Sequence, residues 1–156
     1  RGSVIPLFKK INRMKKKLPL THEKMTRFNI SLNSAIDLVK TALKNKTKNA
    51  IFVPKLKSFY IKDLAEAISG KKNNFNIVGI RPGEKIHEEL INPAEARYTV
   101  ELKNFYIILN DMSETQIIKF CKLNKCKRVK TSFSYNSGDN KSFMDIKSLK
   151  KIAEKH

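Results

Sequence analysis

Ile80-Arg81-Pro82-Gly83-Glu84-Lys85-Ile86-His87-Glu88-Glu89-Leu90 is the stretch on which the reading of this chain turns. Before it stands a short β-leaning run, Phe75-Asn76-Ile77-Val78-Gly79-Ile80. Pro82-Gly83 breaks the chain, and Glu84 to Leu90 can then form a short helix with Ile86 and Leu90 on one face. Strand, turn and helix start together present N–H groups to an anion. Arg81 leads the turn with a guanidinium fork suited to phosphate or carboxylate. Glu84, three residues later, can accept hydrogen bonds from a neighbouring pair of hydroxyls. An anion beside a diol is the outline of a nucleotide. A second reading stays open: a solvated turn, with Arg81 in water and Glu84 favoured by the helix dipole alone.

The chain has 156 residues, enough for one domain with its own core. An apolar share of 40% and a charged share of 30% fit a globular protein. No apolar run approaches the roughly 20 residues that span a bilayer, and the first residues lack the form of a secretory signal. A cytoplasmic location is therefore expected. The sequence begins Arg1-Gly2-Ser3 rather than with Met, as expected of a piece of something longer.

A net charge of +19 raises a nucleic-acid partner as a hypothesis. Only six of the 33 basic residues are Arg, however, and the lysines are spread along nearly every segment. A solvated lysine-rich surface is the preferred reading, and a small basic nucleic-acid-binding protein is the alternative. Phe133 and Tyr135, near Lys130, are the only aromatic residues placed to stack on bases. Cys121 and Cys126 are five apart, with no Cys-x-x-Cys and no His pair, so reduced thiols and no metal site are expected.

Ser3 can cap a helix to about Lys17, with Val4, Leu7, Phe8, Ile11 and Met14 at helical spacing. Leu18 to Thr21 and Met25 to Ile30 are extended, the second carrying Arg27 among apolar neighbours. Ser31 caps the clearest helix, with Ala35, Ile36, Leu38, Val39, Ala42 and Leu43 on one face and Asn45 at its end. Ala50 to Pro54 is a short strand, and Phe59-Tyr60-Ile61 leads into a helix stopped by Gly70. The strand before Arg81 then completes a second β–α–β unit. A hairpin pairs Arg97–Leu102 with Phe105–Leu109. A helix over Ser113–Lys125, an extended Ser132–Tyr135, a turn and a final helix follow. The class is α/β, with strands too few and too short for a free-standing doubly wound sheet.

Three blocks then carry a resemblance: Arg1-Gly2-Ser3-Val4-Ile5-Pro6-Leu7-Phe8, Met25-Thr26-Arg27-Phe28, and Arg81-Pro82-Gly83-Glu84-Lys85-Ile86-His87-Glu88-Glu89-Leu90. In this order and separation they resemble the C-terminal half of the nucleotide-sugar 4,6-dehydratases of the extended short-chain dehydrogenase/reductase superfamily. The inverting UDP-N-acetylglucosamine 4,6-dehydratases of surface-polysaccharide and flagellin-glycan pathways are the most similar group. The ending, Tyr135-Asn136-Ser137-Gly138 with Phe143 and the helix after it, resembles their short members.

The resemblance implies the C-terminal substrate-binding portion of an NAD(P)-binding Rossmann-like fold, without most of its doubly wound sheet. Residues 1–156 would be one such region, with 1–110 the nucleotide-sugar-binding core and 111–156 a tail. By match, Arg27 and Arg81 would hold the diphosphate and Glu84 the ribose. The segment Ser3 to Phe8, with Ser3, Val4, Pro6 and Phe8 foremost, would lie against the uracil. His87, Glu88 and Glu89 read as helix and packing residues. NADP and the catalytic groups would belong to an N-terminal Rossmann half, a missing or separate partner, and complete members of the family oligomerise. No Gly-x-x-Gly-x-x-Gly occurs here, and none of the four tyrosines has Lys four residues later. No catalytic residue is therefore assigned to this chain. A surface that packs on the Rossmann half would be exposed in its absence.

Overall fold

Each strand of this chain is only two to four residues long, so neighbours far away in sequence decide which sheet it joins. In a computed structural model that describes residues 4–45 and 47–155, the order is α1 (Val4–Arg13), β1 (Leu18–Leu20), β2 (Thr26–Asn29), α2 (Leu32–Lys44), β3 (Ile51–Pro54), β4 (Lys57–Tyr60), α3 (Ile61–Ser69) and β5 (Phe75–Ile77). Then come β6 (Glu89–Ile91), α4 (Pro93–Ala96), β7 (Thr99–Glu101), β8 (Phe105–Ile108), α5 (Glu114–Asn124), β9 (Lys127–Arg128), β10 (Tyr135–Asn136) and α6 (Ile146–Lys155). The α/β class stands. The chain forms two compact units, each built from separated segments.

The first unit takes residues up to Asn29, Lys57–Glu88 and the chain from Ser137 onward. Here β1 pairs with β5 in parallel, and β2 pairs with β4 antiparallel, Arg27 facing Phe59. Its core joins Ile5 and Phe8 of α1, Leu18 and Leu20 of β1, Leu64 and Ala65 of α3, and Leu149 and Ala153 of α6. Burying one such Leu or Phe contributes roughly 1.5–3 kcal/mol. The final helix is thus part of this core. Asp145 precedes it and caps it, its Oδ1 accepting the Ser148 N–H at 2.7 Å. The Ser148 hydroxyl first, and its N–H second, hold the Asp145 carboxyl below the usual carboxylate range.

The second unit holds a four-stranded sheet in the order β3-β8-β7-β9, all antiparallel, with the expected hairpin as its centre. Val100, Ile107, Leu109 and Ile117 form its core, and β10 pairs separately with β6. Phe133 and Tyr135 pack on the Tyr106 ring at 5.3 and 5.2 Å. Those two aromatics, the candidates for base stacking, are therefore used inside this unit.

Two expectations fail here. The β–α–β units do not close. In each case the strands before and after the helix lie in different sheets, because β2 takes β4 as its partner and β5 takes β1. The helix expected over Glu84–Leu90 does not form either. Residues 84–88 run as an irregular segment and 89–91 become β6. The Ile86/Leu90 spacing suits a helix, but β10 supplies a strand partner that local pattern cannot reveal. The first helix ends at Arg13, four residues early, where Lys15 adopts a positive φ of 56°.

Helix α2 matches its expected bounds, with Ser31 Oγ accepting the Ser34 N–H and Asn45 at the other end. Yet it has no buried residue: Leu32, Ile36, Val39 and Leu43 are 76%, 42%, 58% and 79% exposed. An apolar stripe of this kind does not stabilise the unit it belongs to. Replacing both Val39 and Leu43 with Lys is therefore expected to leave stability within about 0.5 kcal/mol, the range for surface changes. Binding of a hydrophobic dye and aggregation on heating should fall. A cooperative melt that shifts down by much more would show that the stripe is packed.

Candidate functional site

Within the first unit, the Arg81 turn, the end of β1, β2 and the first turns of α1 enclose a cleft of about 480 Å³. Pro82-Gly83 makes this possible. Gly83 takes φ +80°, a left-handed conformation that L side chains rarely adopt, and the Glu84 N–H closes the turn onto the Arg81 carbonyl at 3.0 Å. The Arg81 N–H donates to Glu84 Oε2 at 3.3 Å. Two of the backbone donors expected to face an anion, those of Arg81 and Glu84, are thus occupied within the turn. The turn also offers a ligand the side chains of Arg81 and Glu84.

Of the residues expected at the site, Val4, Phe8, Arg27, Arg81 and Glu84 line this one cleft. Pro6 is exposed and does not line it, and Ser3 lies outside the described residues. Phe8 is 1% exposed, a core residue that forms part of the floor rather than a stacking face. Half-exposed Leu7 offers more apolar surface.

The two arginines are held differently. Arg27 Nη1 donates to the carbonyls of Thr26 and Ile86 at 2.7 and 3.1 Å, and its Nε lies 3.5 Å from Glu88 Oε1. Its orientation is set before any ligand arrives. Among the described residues Arg81 is paired with no carboxylate, and its side chain is exposed at the rim. Glu84 accepts from Thr21 Oγ1 at 3.3 Å, so its carboxylate is turned into the cleft from one side.

Sequence reading missed Thr21 and Glu88 as members of this wall. Glu88 is no helix residue: Oε2 accepts the Phe28 N–H at 3.0 Å while Oε1 faces Arg27. No local signal could have found it, since its partners stand some sixty positions away.

Behind the cleft the quoted blocks meet. His87 Nδ1 and Thr26 Oγ1 are 2.8 Å apart, and Thr26 Oγ1 and Ser137 Oγ are 2.7 Å apart. Ser137 Oγ accepts the Glu88 N–H at 2.9 Å, and the Ser137 N–H donates to the Glu88 carbonyl at 2.8 Å. Met25-Thr26-Arg27-Phe28, His87-Glu88 and Ser137-Gly138 are one knot of hydrogen bonds. Thr26 and Ser137 are fully buried in it. Ser137→Ala removes the acceptor of a partly buried N–H and should cost about 1–3 kcal/mol, the penalty for such an orphan. Urea unfolding measures this. An unchanged midpoint would mean that the knot does not hold the motif.

Comparison with known proteins places the chain in a family. Residues 1–110 match the family model described as polysaccharide biosynthesis protein. The UDP-N-acetylglucosamine 4,6-dehydratase (inverting) of Campylobacter jejuni serotype O:2 is 37% identical, over 97% of this chain and 47% of its own length. The UDP-glucose 4-epimerase of Rickettsia felis is 35% identical, over 97% of this chain and 45% of its own. The chain thus spans about half the length of the curated relatives it matches. The solved structure of Pen from Bacillus thuringiensis superposes with a TM-score of 0.75 at 28% identity, covering 99% of this chain and 45% of that one. Matched by the family model over residues 1–110 and similar throughout to enzymes of UDP-sugars, this chain belongs to the polysaccharide biosynthesis protein family.

Proposed function

We propose that this chain is the UDP-sugar-binding half of a nucleotide-sugar 4,6-dehydratase, taking UDP-N-acetylglucosamine in surface-polysaccharide or flagellin-glycan synthesis in the cytoplasm. The observation that carries the reading is the first unit's cleft, which gathers five of the seven residues implied at the nucleotide. Arg81 and the Nη2 edge of Arg27 take the diphosphate. Charge-assisted, forked bonds of this kind are among the stronger hydrogen bonds available. Glu84 accepts from the ribose hydroxyls, and Val4 and Leu7 lie beside the base. Glu88 neutralises Arg27 until the diphosphate arrives.

NADP does not fit this half. A dinucleotide needs a glycine turn between a strand and a helix N-terminus, and the described glycines, at 70, 79, 83 and 138, form no such turn. No step of the reaction is therefore assigned to these residues. Hydride and proton transfer fall to a complementary Rossmann segment, in the same polypeptide or in a separate one. The exposed stripe of α2 is a surface such a segment would cover.

Calorimetric titration with UDP, and with uridine as the phosphate-free comparison, tests the reading. UDP should bind with a dissociation constant between about 1 μM and 1 mM, and uridine markedly more weakly. Failure to bind UDP, together with binding to duplex DNA that falls steeply with salt, would replace it with the nucleic-acid alternative.

A further inference from the structure

Helix α5 ends in the second unit with Lys125 in the left-handed conformation, φ 50° and ψ 41°. The Lys125 and Cys126 N–H groups both donate to the Cys121 carbonyl, the second at 3.1 Å. That bond to the fifth residue back is the mark of a Schellman ending, in which the two residues it joins also bring their side chains together. Here both are cysteines. Each is half-buried, and both pack on the cluster of Val100, Ile107, Leu109 and Ile117. From Lys119 to Lys130 the chain carries six cationic residues and no acidic one.

We propose that Cys121 and Cys126 are a thiol–disulfide exchange site that closes to an intramolecular disulfide with a small anionic disulfide as oxidant. One thiol attacks the small disulfide, forms a mixed disulfide and releases one small thiol. The second cysteine then attacks the protein sulfur of that mixed disulfide and releases the other small thiol. Two electrons pass from the cysteines to the oxidant, and the two thiol protons leave with the products. The Cys126 thiol is pushed up to about 12 by burial and by its bond to Cys121, so it remains protonated at neutral pH. With Cys126 held as the thiol, Cys121 is the first attacker and Cys126 the resolving group. The helix ending holds the two within reach, so the second step is intramolecular and outruns accumulation of the mixed species.

The test is incubation of the folded chain with excess oxidised glutathione at mildly alkaline pH, quenching with acid, and intact-mass analysis. The expected product has lost two hydrogens and carries no glutathione. Trypsin, which cuts at Lys122 and Lys125, should leave the two cysteine peptides joined until reductant is added. Cys126→Ser should instead stop at a stable glutathione adduct on Cys121. Stable adducts on the unsubstituted chain, a disulfide-linked dimer, or thiols that stay free while the urea-unfolded chain oxidises would each overturn the proposal.

Discussion

Arg81→Ala is expected to weaken UDP binding by about tenfold to 150-fold. Hydrogen bonds to charged groups contribute about 1.5–3 kcal/mol, and every 1.4 kcal/mol is a factor of ten. Arg81 is the residue to change because it is the least entangled. Its side chain is exposed, it pairs with no carboxylate among the described residues, and the turn it leads is closed by backbone atoms and by Glu84. The substitution should therefore leave the fold intact, and an unchanged thermal melt would confirm that. Arg27 is a poorer probe. Its guanidinium bonds to the Thr26 and Ile86 carbonyls, so Arg27→Ala would disturb binding and structure together. Calorimetry with UDP reads the effect directly. Equal affinity in Arg81→Ala and the unsubstituted chain would remove Arg81 from the site.

Gly138→Ala is expected to lower the melting temperature by several degrees. A Cβ at this position would lie 2.7 Å from both Cγ and Nδ1 of His87, closer than real contacts allow. The ring cannot swing aside freely, because Nδ1 is 2.8 Å from Thr26 Oγ1, inside the knot with Ser137. Overpacking of this kind costs about 1–3 kcal/mol. For a chain of this size each kcal/mol moves the melt by about 2–4 °C. The strain is specific to one partner, so Gly138→Ala combined with His87→Ala should recover part of the loss. Equal melting temperatures for Gly138→Ala and the unsubstituted chain would mean that the ring gives way at no cost. No recovery in the double variant would place the strain elsewhere.

The parts of the fold legible in the sequence are those that local chemistry decides. Ser31 and Asn45 bound α2, Gly70 ends α3 in the left-handed conformation, and Ser113 caps α5 with Gln116 returning the bond. The β7–β8 hairpin follows from two apolar runs joined by Lys103-Asn104. What failed was non-local. Glu84–Leu90 carries a helical spacing, yet Glu88 is tied to Ser137, 49 residues on, and Glu89–Ile91 to β10. The β–α–β expectation failed for the same reason, since strand partners are chosen by distant segments. At the site, Arg27, Arg81 and Glu84 are readable because their chemistry suits a nucleotide whatever the backbone does. Glu88 and Thr21 are not, because a carboxylate or hydroxyl gains meaning only from what folding places beside it.

The central claim is that the nucleotide occupies the first unit's cleft. Backbone amide resonances recorded while UDP is titrated test it most directly. The expected shifts centre on Thr21, Phe28, Arg81 and Glu84, with Leu7 moving as the base settles. Shifts centred on the second unit, around Arg97 and Arg128, or scattered evenly over the lysines, would contradict it.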